Sequence, residues 1–448
     1  MSSPSLVLVP ARYKATKLYT QYPTDGSADF IVSQASGNST RVNASGFVEA
    51  VSANIPRIDY RNVAQSIDCP ALLIEASAQN IAQRSNELNT VPNIVDFTTF
   101  SGNIFISPDG TQNAARFTET TANDRHGFYQ YQTIASGANT VSIFTKETGR
   151  RYIAFTSDFT GTGTASYFDL QTKSVVTNGS GHIGSVQDYG NGWLRLIVTI
   201  GASVSGSRYV TWGGSPSGTT SSYVGNVNIS QTFYGLQIET GSVATSYIPT
   251  TTAALTRGAD IIYASGAVSG TIGQTSGTIY AEVDMRNWSA SGRVVAISNG
   301  TQDGCIVIHV NADRSFTVFT NASSFNQLTM QTVSGLYNGL HRVAFAYKKD
   351  DFAFYLNGAL VSSHTSGTVP ATSQLYVGKI ETSGSTNFLN DRVRSVALFK
   401  TRLSNSDLSI LTGIDYTDLT WNTYTTRASL STELPTCLLT RYFELINV

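Results

Sequence analysis

A β-hairpin is indicated by the stretch Phe352-Ala353-Phe354-Tyr355-Leu356-Asn357-Gly358-Ala359-Leu360-Val361-Ser362. Phe352, Phe354 and Leu356 alternate with other residues, which is the pattern of a strand with one buried face. The dipeptide Asn357-Gly358 favours a type I′ turn, because both of its central residues take positive φ angles. The sequence therefore predicts two antiparallel strands joined by a two-residue turn.

Similar strands recur on both sides of this hairpin. In the segment 279–286, Ile279, Ala281, Val283 and Met285 are predicted to face a core, whereas Tyr280, Glu282, Asp284 and Arg286 are predicted to form a solvated polar face. Strand signals return roughly every 8 to 12 residues, a spacing typical of a β-sandwich. A short helix is predicted to close the region, with a capping box at Ser404 and Asp407 and an end at Gly413.

A second set of strands precedes residue 255. Asn191-Gly192 is again a hairpin dipeptide. After it, the apolar residues that share one face are Leu194, Leu196, Val198 and Ile200, and we expect them to face a core. The region before residue 93 is broken by prolines, and a weak helix is predicted over 77–88.

These patterns predict an all-β protein of tandem antiparallel β-sandwiches (jelly rolls) with an irregular N-terminal anchor segment. The predicted divisions are 1–92, 93–254, 255–413 and an apolar C-terminal docking tail at 414–448. The tail is expected to cover its aromatic residues by docking on its own domain or on another subunit.

Composition excludes several classes of function. The net charge is −1, so no nucleic-acid partner is expected. No stretch of about 18 apolar residues predicts membrane insertion, and no signal peptide is recognised, so we expect synthesis in a host cytoplasm. The cysteines Cys69, Cys305 and Cys437 are too widely spaced for a zinc site or a disulfide framework. We therefore predict no metal site and no cofactor.

Three parts of the chain resemble known families. Residues 279–412 resemble the concanavalin A-like/laminin-G-type jelly roll, through Gly339–Phe345, Phe354–Gly358, Leu375–Gly378 and Arg394–Phe399 followed by Leu403-Ser404. Residues 97–250 resemble the carbohydrate-binding-module type of sandwich found in phage structural proteins, through Asn191–Arg195, Gly235–Glu239 and Ala244–Thr250. Upstream, Asn54–Tyr60 and Cys69–Glu75 resemble the N-terminal segment of phage head-fibre and tail-fibre proteins.

The resemblance implies a virion location, with 1–92 as an attachment segment. The chain would be a structural part of a phage virion: a head fibre, a capsid decoration or a tail-fibre-like appendage. Its partners would be other virion proteins of the capsid or tail, further copies of itself (a trimer is the first expectation) and host-surface glycans. A glycan-binding lectin or adhesin for host recognition is the main alternative.

A glycoside hydrolase is the third hypothesis for the function of this chain. Jelly-roll glucanases of the resembled superfamily carry a Glu-x-Asp-x-x-Glu strand, and Glu282 and Asp284 match its first two acids. Asn287 stands at the third position, where an amide cannot donate the required proton. The sequence therefore predicts no enzymatic activity.

Candidate glycan-binding residues are aromatic side chains in loops. Trp212 stands among glycines, Trp288 follows a predicted strand end, and Tyr337 precedes Asn338-Gly339. For each of them, a place in the core or at a subunit contact is the alternative.

Overall fold

The computed structural model describes residues 2–61, 70–90, 93–287, 291–322, 325–380 and 387–413. The chain forms two compact units, each assembled from separate stretches of sequence. Unit 1 contains the described residues within 1–35, 53–76 and 259–448, and unit 2 contains those within 36–52 and 77–258. The segment 1–92 is thus divided between the two units and does not form one by itself. The predicted tail at 414–448 lies outside the described residues.

The secondary structure is almost entirely β. The strands before residue 93 are β1 (Leu6–Leu8), β2 (Tyr13–Lys14), β3 (Lys17–Leu18), β4 (Phe30–Ser33), β5 (Ser39–Val42), β6 (Val48–Val51), β7 (Ile58–Asp59), β8 (Ala71–Ile74) and β9 (Ala78–Asn80). The next are β10 (Asn93–Asp96), β11 (Thr98–Phe105), β12 (Ala114–Glu119), β13 (Asn123–Asp124), β14 (Gly127–Ile134), β15 (Gly137–Lys146), β16 (Tyr152–Ser157), β17 (Thr164–Asp169), β18 (Ser174–Thr177), β19 (His182–Gly190), β20 (Trp193–Ser203), β21 (Gly206–Ser215), β22 (Tyr223–Val224), β23 (Ser230–Thr240) and β24 (Leu255–Arg257).

The last part of the chain begins at β25 (Ile261–Ser265) and a 3₁₀ helix, Gly266–Thr271. It continues with β26 (Ser276–Met285), β27 (Gly292–Ser298), β28 (Cys305–Asn311), β29 (Ser315–Ala322), β30 (Phe325–Gln331), β31 (Gly339–Lys348), β32 (Asp351–Leu356), β33 (Ala359–His364), β34 (Gln374–Val377), β35 (Asp391–Phe399) and the helix α1 (Asn405–Gly413). In the part of the chain that is described, no helix has the length and apolar character needed to cross a bilayer.

Unit 1 is a sandwich of two antiparallel sheets. One has the order β33-β32-β31-β26-β35-β8-β7, and β1 also pairs with β35. The other has the order β2-β3-β4-β25-β34-β27-β28-β29-β30. Ile279, Ile308 and Phe354 belong to the core, which draws residues from both sheets. Because β1 to β4, β7 and β8 complete these sheets, the N-terminal part of the chain is structurally integral to unit 1.

The predicted hairpin of unit 1 is confirmed as β32 and β33. Asn357 has a φ of 48° and Gly358 a φ of 84°, as a type I′ turn requires. The predicted helix is confirmed as α1, since the Asp407 backbone N–H donates to the Ser404 hydroxyl at 3.1 Å. The hairpin and the helix could both be predicted from the sequence because each depends on a few neighbouring residues.

Unit 2 is a second sandwich of two antiparallel sheets. Sheet I has the order β10-β14-β21-β16-β17-β18, and sheet II has the order β11-β12-β23-β15-β20-β19. Phe128, Phe155 and Trp212 of sheet I share a core with Leu196 and Phe233 of sheet II. The predicted face Leu194, Leu196, Val198 and Ile200 lies in this core, and the turn at Asn191-Gly192 is confirmed, with φ angles of 52° and 78°. Tandem antiparallel sandwiches were therefore correctly predicted.

The outer sides of the two sheets of unit 2 differ. On sheet II, Trp193 and Phe144 pack against Val42 and Val48 of the β5–β6 hairpin, so this side is largely covered. On sheet I, the outward side chain of Tyr131 is 55% exposed. An exposed aromatic residue therefore lies on the outer side of sheet I.

The helix predicted over 77–88 is wrong. Ala78–Asn80 form β9, which pairs with β24. The buried Asn80 amide donates to the carbonyls of Leu236 at 3.1 Å and Ile248 at 2.9 Å. These tertiary contacts outweigh a weak local helix preference.

Candidate functional site

Three tyrosines project together from the open side of sheet I. Tyr129 and Tyr131 are two residues apart on β14 and therefore share a face, and Tyr209 is the direct partner of Tyr131 on β21. The rings of Tyr129 and Tyr131 lie 5.8 Å apart and those of Tyr131 and Tyr209 lie 6.2 Å apart, both edge to face. Such pairs hold one another in fixed orientations, so the sheet presents a preformed aromatic surface.

A charged pair borders this aromatic surface. The Arg125 guanidinium lies 6.0 Å from the centre of the Tyr209 ring, and its Nε is 3.4 Å from Asp96 Oδ2. Burial raises the pKa of the Asp96 carboxyl, although Arg125 works in the opposite direction. We call Tyr129, Tyr131, Tyr209, Arg125 and Asp96 together the tyrosine face. It combines aromatic rings with a guanidinium that can hydrogen-bond to ligand hydroxyls, next to the buried carboxyl group of Asp96.

The tyrosine face was not identified from the sequence. The signal was the alternation Tyr129-Gln130-Tyr131, which places both tyrosines on one side of a strand. Sequence alone did not show which side was open. Gln130 faces inward, where its amide donates to Asn93 Oδ1 at 2.8 Å.

Trp212, the first predicted glycan-binding residue, is a core residue. It stands on β21 rather than in a turn, has no exposed surface, and lies 4.6 Å from the Phe155 ring. A ligand in solvent cannot reach this indole, so the assignment of Trp212 is corrected. The glycines beside it, Gly213 and Gly214, permit close strand contact: a Cβ on Gly213 would come 2.5 Å from the His126 carbonyl oxygen.

The other two predicted residues have different outcomes. Trp288 lies outside the described residues. Tyr337 is 57% exposed in unit 1, its hydroxyl donates to the Leu340 carbonyl at 3.0 Å, and its ring lies 4.4 Å from that of His341. Tyr337 thus remains a surface aromatic residue whose binding role is a prediction.

The polar face predicted for β26 is buried rather than solvated. Glu282 is 0% exposed and Asp284 is 1% exposed. Arg286 Nη2 donates to Asp284 Oδ2 at 2.9 Å, and Arg394 lies 3.9 Å from the same oxygen. Burial opposes ionisation of Asp284, but the arginines outweigh it and lower the pKa of this carboxyl group. The prediction failed because strand alternation does not show whether charged neighbours will allow a polar face to be buried.

Asn287, just after β26, is held by structural hydrogen bonds and is not placed as a catalytic acid. Its side-chain amide donates to the Asn390 carbonyl at 3.1 Å, and its backbone N–H donates to Asp391 Oδ2 at 2.7 Å. Burial raises the pKa of Asp391 to about 6. Among the described residues, no group of three His, Cys, Asp or Glu side chains is placed to hold a metal ion.

Comparison with known proteins gives one family match. Residues 263–409 match the model described as the concanavalin A-like lectin/glucanases superfamily. No curated protein matches the chain. This match covers most of the contiguous C-terminal part of unit 1.

Several solved structures are similar over about a third of the chain. The CBM40 of the Ruminococcus gnavus IT-sialidase is 14% identical over 33% of this chain and 88% of that chain, with a TM-score of 0.30. The K499G mutant of NanB sialidase from Streptococcus pneumoniae is 13% identical over 33% of this chain and 26% of that chain, with a TM-score of 0.29. A heptameric SAP-like pentraxin from Limulus polyphemus is 11% identical over 30% of this chain and 68% of that chain, with a TM-score of 0.24. These scores carry no argument about function, but the family match shows that residues 263–409 form a concanavalin A-like domain.

Proposed function

We propose that this chain is a non-enzymatic glycan-binding protein and that the tyrosine face is its main binding surface. One observation carries the proposal: Tyr129, Tyr131 and Tyr209 form a preformed aromatic group on the open side of sheet I, and Tyr131 is 55% exposed. Sugar rings have apolar C–H faces that pack on aromatic rings, while their hydroxyls need hydrogen-bonding partners. The Arg125 guanidinium, 35% exposed, supplies such a partner at the border.

The composition of the tyrosine face favours binding over hydrolysis. Of its five residues, Asp96 alone carries a carboxyl group. Glycoside hydrolysis generally uses two carboxyl groups on opposite sides of the scissile bond. The buried Asp284 of β26 is paired with Arg286 and lies near Arg394, an arrangement suited to structure rather than to proton transfer.

A glycan array probed with the full chain tests this proposal. We expect a restricted set of bacterial-surface glycans to bind, and we expect Tyr131→Ala to weaken that binding while Tyr131→Phe preserves it, since the ring is retained. Ile183→Ala is the matched control, because Ile183 is 66% exposed on β19 of sheet II in the same unit. A flat array with the wild-type chain, or equal losses in Tyr131→Ala and Ile183→Ala, would contradict the proposal.

We also propose that this glycan-binding chain is a phage virion appendage. The support is the resemblance of Asn54–Tyr60 and Cys69–Glu75 to head-fibre and tail-fibre segments. Such an appendage would associate as a symmetric oligomer, with a trimer as the first expectation, and would contact capsid or tail proteins. Native mass measurement should give an oligomer, and electron microscopy of intact particles should locate it. A monomer at high concentration would contradict the oligomer proposal.

A further inference from the structure

A cavity of about 240 Å³ opens on the outer side of sheet II, away from the sheet that carries the tyrosine face. Phe47, Ile106, Lys146, Tyr189, Asn191 and Trp193 line it. These residues come from the β5–β6 turn, the loop after β11, the end of β15 and the β19–β20 turn. We call this the Lys146 cavity.

The walls of the Lys146 cavity are held in place by specific contacts. The Trp193 indole N–H donates to the Ile106 carbonyl at 3.1 Å. The Phe47 backbone N–H donates to Asn43 Oδ1 at 3.0 Å, and the Phe47 ring lies so close to Gly110 that an added Cβ there would come within 3.2 Å of it. The cavity is therefore preformed, which lowers the entropic cost of binding a ligand.

Lys146 supplies a positive charge to this cavity. Its ammonium donates to the Asn191 carbonyl at 2.9 Å. An ammonium group has three donors, so two remain for a ligand. The structure gives Lys146 no ion pair with any described residue.

The carboxylates near lining residues have partners of their own. Asp188, next to the lining residue Tyr189, pairs with Lys173 at 2.6 Å. Asp109 stands beside the lining residues Ser107 and Pro108, but its oxygens accept hydrogen bonds from Ser107 at 2.6 Å, Thr111 at 2.7 Å and Tyr234 at 2.7 Å. These bonds outweigh burial and lower the pKa of Asp109. The Lys146 cavity thus combines aromatic walls with an ammonium group, and its acidic neighbour is already engaged.

We propose that the Lys146 cavity binds a carboxylated sugar residue, such as a uronic acid. Its volume is below the range of about 300–1,000 Å³ for drug-sized ligands, which suits a single sugar ring rather than a longer chain. The ring packs between the aromatic walls, and its carboxylate accepts charge-assisted hydrogen bonds from Lys146. This is a second site, separate from the tyrosine face, and it gives the chain a preference for acidic glycans.

Calorimetric titration of the full chain with galacturonic acid, and in parallel with neutral galactose, tests the inference. We expect the acidic probe to bind better, and Lys146→Gln to weaken it by about tenfold, the order of one charge-assisted hydrogen bond. Lys349→Gln is the control, because Lys349 is an exposed lysine of unit 1, outside the unit that holds the cavity. Binding in that variant should be unchanged.

The outcomes separate this site from the tyrosine face. Loss of acid binding in Lys146→Gln but not in Tyr131→Ala supports the Lys146 cavity as the binding site. This conclusion does not depend on whether the tyrosine face binds other glycans. Loss in Tyr131→Ala alone would place the acidic ligand on the tyrosine face and overturn the inference. Equal affinity for the two probes, or equal losses in Lys146→Gln and Lys349→Gln, would overturn it as well.

Discussion

Replacing Arg57 by methionine should destabilise unit 1 more than almost any other single change at a charged residue. The Arg57 side chain is 0% exposed and lies between two carboxylates. Its Nη1 donates to Glu75 Oε2 at 2.7 Å, its Nε donates to Asp260 Oδ1 at 3.2 Å, and Nη2 also contacts Asp260. Burial opposes the positive charge, but the two carboxylates outweigh it and raise the pKa of Arg57.

The expected loss follows from what Arg57→Met leaves behind. Glu75 and Asp260 are only 3% exposed and would remain without their guanidinium partner. Removing one member of a buried ion pair costs about 3–5 kcal/mol, and Arg57 serves two partners, so we expect the upper end of this range. For a domain of roughly 150–250 residues, about 5 kcal/mol corresponds to a fall in Tm of roughly 10–20 °C.

Thermal unfolding followed by calorimetry measures this loss. Lys173→Met, in unit 2, is the comparison variant, since the Lys173–Asp188 pair is about half exposed on both sides and should contribute at most about 1 kcal/mol. Adding Glu75→Gln and Asp260→Asn to Arg57→Met should restore part of the stability, because the unpaired charges are removed. If Arg57→Met unfolds at the same temperature as Lys173→Met, the N-terminal strands are not tied to unit 1 in the way described.

Three further predictions concern binding, pH and backbone conformation. Tyr131→Ala removes on the order of 100 Å² of exposed ring surface, which corresponds to about 2.5 kcal/mol of binding free energy at most at ~25 cal/mol per Å². Glycan affinity in calorimetric titration should therefore fall by roughly tenfold or more. The control Ile183→Ala should keep its affinity. Burial lowers the pKa of His182 to about 4, below its value of about 6.5 in the unfolded chain. Between these two values the unfolded chain binds a proton that the folded protein does not bind. The contribution of neutral His182 to stability is therefore present above pH 6.5 and is lost as the pH falls towards 4. Tm measured against pH should fall in this range, and the fall should be smaller in His182→Gln than in the wild-type chain. An equal fall in both proteins would refute the prediction. Gly358→Ala places a Cβ 3.1 Å from a backbone atom at a φ of 84°, and it should lower the free energy of unfolding in denaturant by about 1–2 kcal/mol. In the control Gly201→Ala the new Cβ meets nothing within 4 Å, so the loss should be smaller. Equal losses would argue against the turn geometry.

Local sequence signals predicted the elements of this fold well. The hairpin dipeptides Asn191-Gly192 and Asn357-Gly358 take the positive φ angles that their turn type requires. The capping box at Ser404 marks the start of α1. Each of these features depends on residues that are neighbours along the chain, which is why sequence alone was sufficient.

The candidate site was not predictable in the same way. Strand alternation correctly separated the two faces of β20 and β26, but it could not show what covers each face. Trp212 faces a core and Tyr131 faces solvent, although both are aromatic residues of adjacent strands. Trp193 and Phe144, on the outward face of sheet II, are buried because the hairpin β5–β6, far earlier in the sequence, packs on them.

The sequence by itself determined the all-β class, the strand-and-turn pattern and the short closing helix, because periodicity, turn residues and capping act over a few positions. Tertiary structure alone decided that strands before residue 93 complete the sheets of unit 1, that Glu282 and Asp284 are buried, the latter beside arginines, and that Tyr131 remains exposed. The physical reason is that burial depends on contacts between segments far apart in the chain, and these contacts determine which of two equally alternating faces meets the solvent.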